Sequence, residues 1–510
     1  LLGGVFAFAA FAEFDLESRG GRLVDSVLAE PARAVVALAL IAFAGSLVFR
    51  RFVLLDQPIA DDEATYLFIA QTLLHGRLTN PAPTDPDYFR NQFVVLNDHA
   101  WHGKYPIGHP LWLAIGEAVH LRDVMPPLAG ALSVVLCFAI GRRLFSERRA
   151  LFGTVLLCLS PHFIWTHATL LSQPTSTMVL LLGCFLLLRA RETERVLFAC
   201  LAGAVFGFGV LVRPLPGALF AVVAGLVIAA PWIRAPREQR RTILLRCVGF
   251  IAGCVAFSAI VLWVNQVQAG NPLTSGYHEI HGHVRLFQNE RNDIANSVFG
   301  ALLRENFWLF GVPVSLVPVC FARPRQRLLF WGMLAAELAY RVISPKTVVS
   351  TTGPIYLTEI VPFLALAAAD GVSTIGAFTR ERWRGGALTL TAAGAAVALA
   401  MFVPVELDPI SVGAELRSLV FRALEQSHAD RALVFCDALI YPESGRSWAY
   451  YPDNPSPSLD DDVLFVRIPT RDPPREIHDF WQRRFKDRRA FLFMWGPKGE
   501  PLFREVQRNE

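Results

Sequence analysis

The 510-residue chain is 53% apolar with a formal net charge of +4, and its mean hydropathy is +0.39. Those values exclude a string of ordinary soluble domains and point to a polytopic membrane protein. So small a net charge leaves no electrostatic footprint for nucleic acid, and eight cysteines with no CxxC pair among them exclude a disulfide framework or a zinc ribbon.

Residues 1–14 (LLGGVFAFAAFAEF) read as part of a first apolar segment that has been cut short, with no recognisable cleavable signal. Crossing a bilayer takes about 20 mostly apolar residues. Candidate runs follow near 33–53, 124–141, 150–169, 174–188, 196–212, 215–233, 244–265, 299–321, 328–343, 355–373 and 386–404. The expected fold is therefore all-α and polytopic, with about 11–13 transmembrane helices.

Arginine clusters at 142–143, 147–149, 189–195, 233–241, 322–327 and 379–384 fall in alternate loops, as the positive-inside rule expects of cytoplasmic ones. Loops 54–123, 266–298 and 344–354 are then expected to face outward. Arg50–Arg51, at the outer end of the first run, breaks the rule, and snorkelling to the interface is the simplest explanation.

The loop 54–123 opens with IADDEATYLFIAQTLLHGRL. Tyr66, Ile69 and Leu73 share one helical face and Gly76 stands where a cap belongs, so an amphipathic helix along the outer membrane surface is expected. NPAPTDPDYF is a Pro-rich hinge, and HAWHGKYPIGHPLWLAIGEAVH returns the chain to the membrane.

The chain divides into a membrane body, 1–404, and a tail, 405–510. In the tail RALVFCD, DDVLFVRI and RAFLFMW read as short strands, and AELRSLVFRALEQ and PREIHDFWQRRF as helices. A small extracytoplasmic α/β domain is expected there, with Trp448, Tyr450 and Tyr451 available to stack on sugars or to fill its core.

Asp61, Asp62 and Glu63 admit two readings. Carboxylates suit the start of a helix, and they also suit proton chemistry at the membrane face. Lys104 lies in the same outward loop, Arg213 at the outer end of a run, and Lys346 and Glu359 near the mouth of another. Cations for a phosphate, beside a carboxylate for an acceptor hydroxyl, are what a phosphate-bearing lipid substrate requires. His99 and His102, and a second group of His278, His281 and His283 with Glu279, are weak candidates to hold a divalent metal ion.

The ordered set of pieces resembles the GT-C superfamily of integral-membrane glycosyltransferases, on the branch of protein O-mannosyltransferases and the lipid A aminoarabinose transferase. The matching residues are Asp62–Glu63…Gly76, GKYPIGHPLWLA, VVLCFAIGRRLFSERRALFGTVLLCLSP, GFGVLVRPLPGAL, GNPLTSGY and GPIYLTEIVPFLALAAADG. The resemblance covers about 50 to 375 of the chain.

It implies transfer of a sugar from a polyprenyl-phosphate donor to an envelope glycan, lipid or protein, with inversion, at the outer face of a bacterial inner membrane. Asp62 would be the base, with Asp61 and Glu63 in support. Lys104, Arg213 and Lys346 would meet the donor phosphate, and Gln173, Tyr277 and Glu359 the sugar or acceptor. Two departures stand out. Gln173 occupies a place where many relatives carry a second acidic residue, and Ile355 stands where the family has a cation, for which Lys346 is a substitute. A lipid-linked transporter or flippase, or another lipid-phosphate-dependent transferase, is the alternative. Ionisable residues gathered in an outer loop, rather than at the bilayer midplane, argue against transport.

Overall fold

The computed structural model describes residues 30–91, 93–97, 100–282, 291–344, 353–379, 398–437, 454, 456–468, 473–495 and 500–507. Among them, six helices are long and apolar enough to cross a membrane: Pro31–Phe52, Arg122–Leu144, Gln173–Thr193, Pro214–Ile233, Arg237–Ala269 and Ile355–Ile375. The chain is a multi-pass membrane protein.

Other apolar runs take different forms. Val196–Val212 and Arg327–Ile343 are helices of 17 residues each. The run near 150–169 breaks at Pro161, where Ser160 caps the short Pro161–Thr166 helix by accepting the Phe163 N–H at 3.4 Å. The run near 299–321 holds the Ala301–Trp308 helix, then a turn through Gly311 (φ +76°), before a 3-10 turn at Pro318–Phe321. Most of 386–404 lies outside the described residues.

The contacts resolve into two compact units. The first comprises 1–51, 123–261 and 285–410. Small residues let its helices approach closely: a Cβ at Gly203 would stand 2.0 Å from the Phe250 carbonyl oxygen, and one at Gly253 2.2 Å from that of Cys200. Arg50 does not snorkel. It is 1% exposed; its Nε donates to Asp123 Oδ1 at 2.9 Å and its Nη1 to the Ala168 carbonyl at 3.1 Å. Inside the apolar unit a partner carboxylate costs less than leaving the guanidinium bare. Arg51, one position on, is exposed.

The second unit comprises 52–122, 262–284 and 411–510. Its sheet has strands β3 (Ala432–Asp437), β4 (Val463–Ile468), β5 (Arg489–Trp495) and β6 (Pro501–Glu505) in the order β4-β3-β5-β6. They follow two short strands, β1 (Val94–Leu96) and β2 (Trp101–Gly103), which pair antiparallel. Strand β3 runs parallel to β4 and β5, and β6 antiparallel to β5. Leu433 and Phe435 point to one core with Phe480 and Trp481 of the Pro473–Arg484 helix, while Val434 and Cys436 point to another with Val420 and Leu424 of the Asp408–Ser427 helix. Each helix covers one face, as parallel pairing requires.

The Asp61–Leu74 helix is covered by protein rather than showing the half-exposed pattern of an amphipathic helix. Glu63 through Ala70 are all buried, and it packs on β2 and on the Gly108–Glu117 helix. Leu67 and Phe68 extend the apolar surface beyond the Tyr66–Ile69–Leu73 stripe, so more than one side needs cover. Phe68, Tyr88, Phe89 and Trp101 join the β-sheet core, with Tyr88 stacked on Phe480 at 3.8 Å between ring centroids. The helix ends as expected, with Gly76 at φ +69° donating its N–H to Leu73 O at 2.9 Å.

Candidate active site

The three adjacent carboxylates fill the first turn of the Asp61–Leu74 helix, whose N-cap, Ala60, has no side chain to satisfy the free amides. Negative charge is favoured there by the helix dipole, but the three side chains diverge. Glu63 is fully buried and its Oε1 accepts the Ile59 N–H at 3.1 Å, closing the loop that precedes the helix. Asp61 lies 3.9 Å from Arg417 Nη2. Asp62 is half-buried, and its Oδ1 accepts a hydrogen bond from the Tyr105 hydroxyl. Burial first, then the Asp62 charge, holds the Tyr105 phenol well above its ordinary range, so it stays a donor.

Tyr105 follows Lys104, whose position is set by backbone fit. A Cβ at Gly103 would stand 2.5 Å from Ile69 Cγ1, and one at Gly276 would stand 2.5 Å from Lys104 Cα. The GNPLTSGY loop therefore needs its last glycine to lie flat on Lys104. Lys104 Nζ sits 3.3 Å from the Phe93 ring centroid, 4.8 Å from that of Tyr105 and 5.5 Å from that of Tyr277. Aromatic faces attract an ammonium and fix its position. The Tyr277 ring also meets the Tyr105 ring edge-on at 5.6 Å.

Among the described residues no group of three or more His, Cys, Asp or Glu is placed to hold a metal ion. His102 Nε2 faces Glu279 Oε2 at 3.3 Å, while His278 is engaged with the Ser275 hydroxyl at 2.9 Å in a capping box. Burial lowers the His102 pKa and raises that of Glu279. His99 and His283 lie outside the described residues, as do Lys346, Trp448, Tyr450 and Tyr451.

In the first unit, Arg213 stands at the junction of the Val196–Val212 and Pro214–Ala229 helices and pairs with Glu359 in the 3-10 turn Ile355–Ile360. The Arg213 guanidinium carbon is 5.7 Å from the Tyr340 ring centroid and 5.6 Å from that of Tyr356, and Arg341 lies 5.3 Å from Tyr356. Tyr356 thus has two arginines beside it although its neighbour is Ile355. The turn is tied down by His162, whose Nε2 is 3.0 Å from Thr358 Oγ1 and whose Nδ1 is 2.7 Å from Glu305 Oε2. Gln173 is 4% exposed at the first position of its helix, and its Oε1 has no hydrogen-bond partner among the described residues.

Sequence reasoning passed over Tyr105, Glu337, Tyr340 and Arg341. A signal for the last three was present: LAAELAYRV puts two charges four apart in an otherwise apolar helix, where charge is expensive.

The family model of dolichyl-phosphate-mannose-protein mannosyltransferases matches residues 123–263. The chain is 24% identical over 338 residues to undecaprenyl phosphate-alpha-4-amino-4-deoxy-L-arabinose arabinosyl transferase of Pseudomonas savastanoi pv. phaseolicola, covering 61% of this chain and 56% of that one. It is 26% identical over 279 residues to arabinosyl transferase 2 of that name from Pseudomonas fluorescens, covering 52% and 46%. The matches span about half the length of these curated relatives. ArnT from Cupriavidus metallidurans has the same fold: its apo crystal structure superposes with a TM-score of 0.57 at 16% identity, over 92% of this chain and 94% of that one. The undecaprenyl phosphate complex gives 0.54 at 16% identity, over 91% and 92%. The chain thus shares the fold of ArnT and, over residues 123–263, is similar to the dolichyl-phosphate-mannose-protein mannosyltransferase family.

Proposed function

We propose that this chain moves a sugar from a polyprenyl-phosphate donor to a hydroxyl of an envelope glycan, lipid or protein, with inversion at the anomeric carbon. The observation that carries the reading is the half-buried Asp62 carboxylate, oriented by Tyr105 next to the aromatic-caged Lys104. Asp62 takes the acceptor proton as that oxygen attacks the anomeric carbon. The bond from that carbon to the phosphate oxygen breaks, and polyprenyl phosphate leaves with the electron pair. Lys104 and Arg213 are assigned to the charge that develops on it, and Tyr277 and Gln173 to sugar or acceptor. Glu63 holds the preceding loop and takes no part in proton transfer.

The undecaprenyl phosphate named for the curated relatives and bound in ArnT supports a polyprenyl carrier. Basic clusters in alternate loops support an inner-membrane orientation with the acidic loop and the tail, 405–510, outside. The test is purified protein in lipid, given radiolabelled polyprenyl-phosphate sugars and envelope extract. Label passing from one donor to an acceptor is expected. No transfer from any donor, with bare polyprenyl phosphate also unbound, would overturn the reading.

A further inference from the structure

We infer that Glu337, beside the Glu359 that the resemblance already assigns to sugar or acceptor, reads the donor sugar, the two accepting hydrogen bonds from its hydroxyl groups next to the phosphate assigned to Arg213. The inference rests on the polyprenyl-phosphate-sugar reading and adds to it the residues that distinguish a sugar-bearing lipid from a bare one.

Glu337 sits within the Arg327–Ile343 helix and is fully buried. Neither of its carboxylate oxygens has a hydrogen-bond partner among the described residues. Glu359, also fully buried, gives Oε1 to Arg213 and leaves Oε2 in the same condition. Buried acceptors are ordinarily satisfied, and a carboxylate out of water is costly without donors. Three such oxygens in one cluster mark a place built for donors that arrive with a ligand.

The surroundings narrow the ligand. Helical spacing puts Glu337, Tyr340 and Arg341 on one face, and that face meets the turn carrying Tyr356 and Glu359, with the two tyrosine rings 6.3 Å apart. Glu337 lies within electrostatic reach of Glu359, Arg213 and Arg341. Arg341 directs Nε and Nη2 at the Ser297 carbonyl, at 3.2 and 2.9 Å. Several hydroxyl donors in a small volume, next to a phosphate and against aromatic faces, describe a sugar linked to a phosphate.

The test measures binding of two probes to the full chain in lipid nanodiscs: bare polyprenyl phosphate and the sugar-bearing donor that the wild type uses. Glu337→Gln keeps the volume but replaces an acceptor with a donor. It should weaken binding of the sugar-bearing donor about 10-fold or more while bare polyprenyl phosphate binds as before. Glu337→Asp, which keeps the charge but shortens its reach, should give a smaller loss for the sugar-bearing probe alone and covers the case in which the first variant does not fold. Equal losses for both probes, or none for either, would overturn the inference and leave the functional reading standing. A wild type that binds neither probe would remove both.

Discussion

The Tyr105 hydroxyl donates to the Asp62 carboxylate across 43 residues of sequence, joining the start of one helix to the turn that carries Lys104. A hydrogen bond to a charged group contributes about 1.5–3 kcal/mol. Tyr105→Phe is therefore expected to lower turnover about 10- to 100-fold, with donor affinity unchanged, because it loosens the carboxylate and leaves the cation in place. Steady-state transfer assays with parallel donor-binding measurements check this.

Gly276 has no room for a side chain, since the added carbon would meet Lys104 backbone rather than a flexible tip. Gly276→Ala is expected to cost about 1–3 kcal/mol through backbone displacement and to weaken binding of polyprenyl phosphate. A thermal-unfolding curve and a binding isotherm on the same preparation would separate the two effects.

The Arg213–Glu359 pair is buried on both sides. Removing one partner leaves the other charge without compensation, at about 3–5 kcal/mol. Arg213→Ala and Glu359→Ala should each lower the unfolding temperature strongly, and the double variant should be more stable than the sum of the two losses predicts. A double-mutant cycle by thermal unfolding in lipid measures that coupling.

Burial holds His102 below its ordinary 6.5. As pH falls through about 6.5, the unfolded chain takes up a proton that the folded chain resists, so stability declines on acidification. Glu279, raised by burial above its ordinary 4.5, works the other way: above 4.5 its folded form holds a proton more readily. His102→Gln should flatten the loss of unfolding temperature between about pH 7 and pH 5.5, and Glu279→Gln should steepen it. Unfolding scans across that range read both slopes.

Much of this was legible. Long apolar runs and alternating arginine clusters announce a polytopic chain, and short continuous apolar runs rich in Val, Leu and Phe, ALVFCD and VLFVRI, announce the tail sheet. Strand β6 was not visible, because as an exposed edge it has no buried face to impose alternation. The β1–β2 hairpin was hidden by strands of three residues each. Asp62, Lys104, Arg213 and Glu359 stood out as charges beside apolar runs. Their uses did not: that Glu63 ties down a loop, that Asp62 meets Tyr105, and that Arg341 lies beside Tyr356 are contacts between distant segments. Local patterns carry no record of those.

The assignment of Asp62 as base is tested most directly by running wild type and Asp62→Asn side by side, in lipid, for donor binding and for sugar transfer. The variant should bind the donor as the wild type does and lose at least about 100-fold in transfer, the lower end for removing a positioned base. Transfer at the wild-type rate would contradict the assignment and move the base to another residue.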